Sequence, residues 1–150
     1  MSSIEIDKKK IESLLPHREP MLLIDKLVNI VPLKSATAIM YVKKNGFYVQ
    51  GHFPDQPVMP GVLIVEAFGQ AAAALTAHGI DPKEYENKLV FLMSVDKAKF
   101  RSPVIPDCEL HLDIEAIRSH GRVWKYKGTA KVGGKRMADA EWSATIVDRK

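Results

Sequence analysis

An α+β fold, a curved antiparallel sheet wrapped around one long central helix, is predicted by three features of the sequence. Residues 62–78 are apolar or small on nearly every side, and a helix of that character has to be covered all round. Five or six other segments carry a single apolar face with the period-two alternation of half-buried strands. The chain has 150 residues, room for one domain with a real core but not for two of ordinary size. A single small sheet does not easily cover such a helix, so pairing of two subunits is expected.

The N-terminal residues read as a polar tail. Asp7 then stands as an N-cap before three lysines, and Ile11, Leu14 and Leu15 share one face of a short helix that Pro16 ends. This helix reads as a cover for an open end of the core. His17 and Arg18 follow in a loop held by Pro16 and Pro20 and read as structural. Residues 21–31 are apolar with Asp25, Lys26 and Asn29 interspersed, and residues 35–42 alternate as a strand. A turn at Lys43-Lys44-Asn45-Gly46 leads toward His52. Pro54, Pro57 and Pro60 each fix their own φ and push the preceding residue toward extended geometry, so residues 52–59 form a stiff loop.

Pro60 and Gly61 stand where a first helical turn tolerates proline, and Gly79 offers a stop. The helix between them has a predicted length of about 27 Å. Gly69 and residues 71–74, all alanine, let neighbours approach it closely. Asp81-Pro82 opens a charged loop to Lys88, and residues 89–95, a short apolar run between polar residues, are predicted to be a buried strand. Lys97, Lys99 and Arg101 then alternate with Ala98 and Phe100, placing three cations on one face. Residues 110–117, 123–132 and 136–147 are predicted as three long antiparallel strands. They are separated by a break at 119–122 and a Gly133-Gly134 hairpin turn.

Composition narrows the function classes. Apolar residues at 46% and charged residues at 27% suit a soluble globular protein. A net charge of +4 permits an acidic partner, but the basic residues form no concentrated face or module of a nucleic-acid binder. Cys108 is the single cysteine, which excludes an intrachain disulfide framework and suits a reducing compartment. Nothing has a signal-peptide layout. Glu66, Gln70 and the prolines argue against a membrane span at residues 58–77, so the expected location is the cytoplasm. No Cys/His spacing suggests a metal and no glycine-rich loop suggests a nucleotide; no cofactor is expected. His78, His111 and His120 read as helix-end, strand-face and turn residues.

One carboxylate interrupts the apolar helix. A buried Glu66 has either to find hydrogen-bond donors or to take up a proton, and a raised proton affinity is what a general acid needs. Taken alone, Glu66 is read equally well as a surface carboxylate beside a lysine. His52, on the rigid loop fourteen residues earlier, shifts the balance. A histidine and a carboxylate flanking a helix N-terminus supply a base, an acid and backbone N–H donors for an oxyanion.

Gly51-His52-Phe53-Pro54, then Pro57-Val58-Met59-Pro60-Gly61-Val62-Leu63, Glu66-Ala67 and Gln70 resemble the signature of the 3-hydroxyacyl-acyl-carrier-protein dehydratases of FabZ type. Leu14-Leu15-Pro16-His17-Arg18 with Pro20, Leu23-Ile24-Asp25, and Phe100 through Pro106 resemble further motifs of that family, in the expected order over most of the chain. Where the family commonly has Pro-Gly-Asp, this chain has Pro106-Asp107-Cys108.

The resemblance implies a hot-dog fold and an enzyme, a hydro-lyase of bacterial type II fatty-acid synthesis. Its reaction would turn (3R)-3-hydroxyacyl-acyl-carrier-protein into the trans-2-enoyl thioester. It also implies dimers in which two sheets run together, often hexamers as trimers of dimers, with the histidine and glutamate of one site contributed by different subunits. On that reading His52 is the base and Glu66 protonates or holds the leaving hydroxyl, while the amides of Gly61 or Val62 face the thioester carbonyl. Phe53, Phe68, Phe91 and Met93 are candidates for an acyl tunnel. Lys97, Lys99, Arg101 and Arg122 are candidates for steering an acidic acyl carrier protein bearing a 4'-phosphopantetheine-linked chain. A hot-dog thioesterase is the rival enzyme, against which the Gly-His-Phe-Pro loop argues; a non-enzymatic acyl-thioester sensor is the other, against which the His52/Glu66 pair argues. Glutamate rather than aspartate at Glu66 favours simple dehydration over dehydration with isomerisation.

Overall fold

The computed structural model describes residues 4–81, 83 and 88–148. Among the described residues the main elements follow in the order β1 (Ile4–Ile6), α1 (Lys8–Leu14), β2 (Lys26–Val31), β3 (Ser35–Val42), α2 (Gly61–His78), β4 (Lys88–Phe100), β5 (Cys108–His120), β6 (Val123–Val132) and β7 (Lys135–Asp148). The strands make one antiparallel sheet with the spatial order β1-β2-β3-β5-β6-β7-β4. This is the hot-dog arrangement: α2 is the filling and the inner face of the sheet is the wrap.

The alternation in the sequence builds that inner face. Register aligns Ala36 with Ile114, Ile114 with Gly128 and Gly128 with Ala140, and in the next row Ala38, Leu112, Ala130 and Ala138. In each row three of the four residues are alanine or glycine, which leaves space for a helix to lie close. At Gly128 the sheet has no room for a side chain, because a Cβ there would sit 2.7 Å from the Phe68 ring of the helix and 3.0 Å from Trp142. Phe68 is fully buried and stacks on Trp142 with ring centroids 5.2 Å apart. By length and composition α2 could cross a membrane, but two-thirds of it is buried inside this sheet.

Two polar side chains on α2 are sealed in the core, and both are satisfied. Gln70 Oε1 accepts from Leu23 N at 2.8 Å and its Nε2 donates to Met21 O at 2.7 Å, so one amide clasps the segment before β2. Thr76 and Tyr126 share a short hydroxyl–hydroxyl hydrogen bond. At the N-terminus the Asp7 carboxylate caps α1 through Lys10 N at 2.9 Å, and Ile11 and Leu14 turn inward as their spacing predicts.

Three expectations need correction. The polar tail contributes the short edge strand β1, which is too brief to show alternation. Residues 89–95 are not a buried strand: they open a 13-residue strand that forms the far edge of the sheet, with residues 91–100 all exposed. An apolar run cannot by itself distinguish a strand buried in its own chain from one whose cover lies elsewhere. The strand after Cys108 runs on to His120, and the break shrinks to the turn at Gly121, whose φ of 61° suits glycine. In the loop after α2, Pro82 and residues 84–87 lie outside the described residues. The Asp107 carboxylate accepts from Lys44 N at 2.7 Å, so the non-glycine turn is tied to the chain beside β3.

Candidate active site

His52 is held by a loop that hydrogen-bonds to itself. Its N–H donates to Val49 O at 3.0 Å, its carbonyl accepts from Val58 N at 2.7 Å, and Phe53 and Gln56 exchange backbone bonds of 3.3 and 3.2 Å. Met59 N reaches Val104 O at 2.8 Å, anchoring the end of the loop to the chain beyond β4. The imidazole Nδ1 lies 2.8 Å from Val58 O. A carbonyl oxygen only accepts, so Nδ1 carries the proton and Nε2 presents its lone pair outward. Phe53 stacks on this ring at 4.4 Å and is itself 55% exposed.

The loop delivers the chain to the start of α2. Pro60 is the N-cap without a side-chain capping bond, and its carbonyl accepts from Leu63 and Ile64. The amides of Gly61 and Val62 belong to the first turn, whose N–H groups have no intrahelical acceptor and carry the positive end of the helix dipole. Val62 is 76% exposed. Gly61 lies under the exposed Phe100 ring, which a Cβ at this position would push aside, its nearest ring carbon being 2.8 Å away.

Glu66, one turn further along, is half-buried rather than sealed. It lines a cavity of about 60 Å³ together with His17, Gly69, Ala73, Val90, Leu92 and Trp142. His52 does not line that cavity. Among the expected tunnel residues, Phe91 and Met93 are exposed on β4, whereas Phe68 is in the sealed core against Trp142.

The expected cationic patch is largely neutralised within the chain. Lys97 lies 3.6 Å from Glu141, Arg101 Nε donates to Asp139 at 2.7 Å, and Arg122 lies 3.9 Å from Asp148. Lys97 and Lys99 line a broad polar groove of about 720 Å³ with Asp113, Glu115, Asp139 and Glu141. Neither His52 nor Glu66 lines this groove. Among the described residues no group of three or more His, Cys, Asp or Glu side chains is placed to hold a metal ion. Cys108 is part-buried and burial pushes its thiol up, away from a reactive thiolate.

His17, read from the sequence as structural, lines the Glu66 cavity, and its Nδ1 is buried without a hydrogen-bond partner among the described residues. The only sequence signal was its place between two prolines in a motif shared with the resembled family.

Comparison with known proteins agrees with this fold. The FabA-like domain family matches residues 15–141. A 3-hydroxyacyl-[acyl-carrier-protein] dehydratase FabZ from Anaeromyxobacter sp. (strain K) is 46% identical over 145 residues, covering 97% of this chain and 93% of the relative. The protein of the same name from Myxococcus xanthus (strain DK1622) is 49% identical over 146 residues, covering 96% and 94%. Among solved structures, the dehydratase heterocomplex ApeI:P from Xenorhabdus doucetiae matches with a TM-score of 0.78 at 14% identity, over 92% of this chain and 91% of the other. Cj0977, a sigma28-regulated virulence protein from Campylobacter jejuni, matches at 0.69 and 16%, over 94% and 90%. At such identities the two structural matches speak for the fold alone.

Proposed function

The chain belongs to the FabA-like family, among its FabZ-type 3-hydroxyacyl-acyl-carrier-protein dehydratases, and from that premise we propose how its own residues carry the reaction. The enzyme removes water from a 3-hydroxyacyl thioester held on an acyl carrier protein, in fatty-acid elongation. His52 Nε2 takes the proton from Cα, and the released electron pair forms the Cα=Cβ bond as the Cβ–O bond breaks. Glu66 gives a proton to the departing hydroxyl and so releases water. The Gly61 and Val62 amides receive the negative charge that builds on the thioester oxygen.

The observation that carries this assignment is the Nδ1–H bond from His52 to Val58 O, which leaves Nε2 as the only ring nitrogen able to accept a proton. Before the next turnover His52 returns that proton to solvent and the Glu66 carboxylate takes one up, which restores both groups.

A homodimer completes the site in this proposal. Within one chain His52 does not line the Glu66 cavity, and among the described residues β4 has a strand neighbour on one side only. Its first half exposes Phe91 (52%), Leu92 (53%) and Met93 (55%), while its second half carries Lys97 and Lys99, which discourage edge pairing there. Leu92 also lines the Glu66 cavity, so a partner seated on β4 would close that cavity. A trimer of such dimers is the larger assembly we propose. The single, part-buried thiol is compatible with the cytoplasm as the working compartment.

Hydration of crotonyl thioester, followed by loss of enoyl absorbance without release of free thiol, tests the reading. Wild type should be active, and His52→Ala and Glu66→Gln should each lose at least about 100-fold, the usual scale for an acid–base group. A mixture of the two variants should regain activity after subunit exchange. Full activity in both variants would remove the assignment, and free thiol release would point to a thioesterase instead.

A further inference from the structure

We propose that His17 determines acyl-chain specificity, acting as a side-chain partition between the Glu66 cavity and a second apolar cavity behind it. The proposal rests on the dehydratase reading. The second cavity, of about 30 Å³, is lined by Leu14, Leu15, Pro16, Ala77, Ile80 and Ile146, with Thr76 beside them. His17, Ala73 and Val90 line both cavities. They are the wall that separates them.

The helix lays out the route. Glu66, Gly69 or Gln70, Ala73 and Ala77 succeed one another at spacings of three and four on one face of α2. An acyl chain whose reacting end is at Glu66 would pass Ala73 and reach the second cavity beside Ala77, about 16 Å along the helix. The small side chains at Gly69, Ala73 and Ala77 leave that face open. Thr76, the one hydroxyl in the rear lining, is already engaged with Tyr126, so the second cavity offers a chain tail no unmet polar group from it.

His17 is built to turn while its backbone stays. The segment is fixed by Met21 N and Leu22 N donating to Arg18 O at 2.9 and 3.0 Å, and by the Gln70 clasp on Met21 and Leu23. Nδ1 of the ring has no such tether: it is buried and makes no hydrogen bond among the described residues, so rotating the side chain breaks none at that atom. With the ring in place a chain ends at His17. With the ring turned aside, the two cavities join and a longer chain fits.

The test is the ratio of kcat/KM for sixteen-carbon over four-carbon enoyl thioesters on the carrier protein. His17→Ala should raise that ratio at least tenfold over wild type, and adding Ala77→Leu to it should bring the ratio back down at least tenfold. An unfolded fraction lowers both rates alike and leaves the ratio intact. Should His17→Ala yield no soluble protein, Val90→Ala opens the same wall from β4 and should shift the ratio in the same direction. An unchanged ratio in a soluble variant overturns the partition, and so does a raised ratio that persists after Ala77→Leu. Inactivity of wild type on the four-carbon thioester would instead overturn the dehydratase reading.

Discussion

Tyr126 illustrates what one polar group inside the wrap of sheet and helix does. Its phenol is buried, bonded to Thr76, and burial pushes its pKa from the ordinary 10.0 up to about 12. The neutral phenol is therefore favoured by the native state, and its stabilisation is complete below the unfolded pKa near 10. It is lost as pH rises through 10 toward 12, because the unfolded chain ionises first. The shift corresponds to about 2–3 kcal/mol. Tyr126→Phe should cost on the order of 1–2 kcal/mol at neutral pH by leaving Thr76 without its partner. Its urea-unfolding free energy should then fall less steeply than that of wild type between pH 10 and 12. Parallel curves for the two proteins would show that the phenol does not titrate as its burial dictates. At this scale, residue type was readable in the sequence and partnership was not: Thr76 and Tyr126 are fifty positions apart, and only folding makes them neighbours.

Element pairing depends on shape as much as on apolar pattern. β6 was legible to its last residue because Tyr126 and Ala130 alternate with lysines, but the pattern says nothing of why position 128 is glycine. The structure supplies the reason: the Phe68 ring of α2 occupies the space a side chain would need. Gly128→Ala should therefore destabilise by about 1–3 kcal/mol, the usual cost of overpacking. Phe68→Leu in the same chain should recover part of that loss in chemical denaturation. A neutral Gly128→Ala would mean that the helix and sheet separate more easily than this packing implies. The loop before α2 was equally legible as stiff, from its prolines, yet the Val58 carbonyl that orients the His52 ring could not be seen before the loop was closed.

The whole molecule raises the question of what covers β4. A 13-residue edge strand with Phe91, Leu92 and Met93 exposed has apolar surface that a second copy would bury. Met93→Asp should leave a folded protomer by circular dichroism, shift sedimentation to the monomer, and abolish crotonyl thioester hydration. Retention of the oligomer by that variant would move the seam away from β4. The outer face contributes less to stability, since its ion pairs, such as Lys127 with Glu115 at 3.7 Å, are exposed and such pairs are individually weak.

By itself the sequence determined the helix that is wrapped, most of the strands that wrap it, and the residues of the family signature. Each of these is written in the local sequence: the unbroken apolar and small residues of α2 between Pro60 and Gly79, the alternation of β6 and β7, and the prolines from Pro54 to Pro60. Tertiary structure decided that residues 89–95 lie at an edge, that Gln70 clasps a distant loop, and that His17 walls the Glu66 cavity. Those outcomes depend on which surfaces meet after the chain has closed on itself. Local pattern records whether a side chain seeks cover or solvent, and it does not record which partner provides the cover.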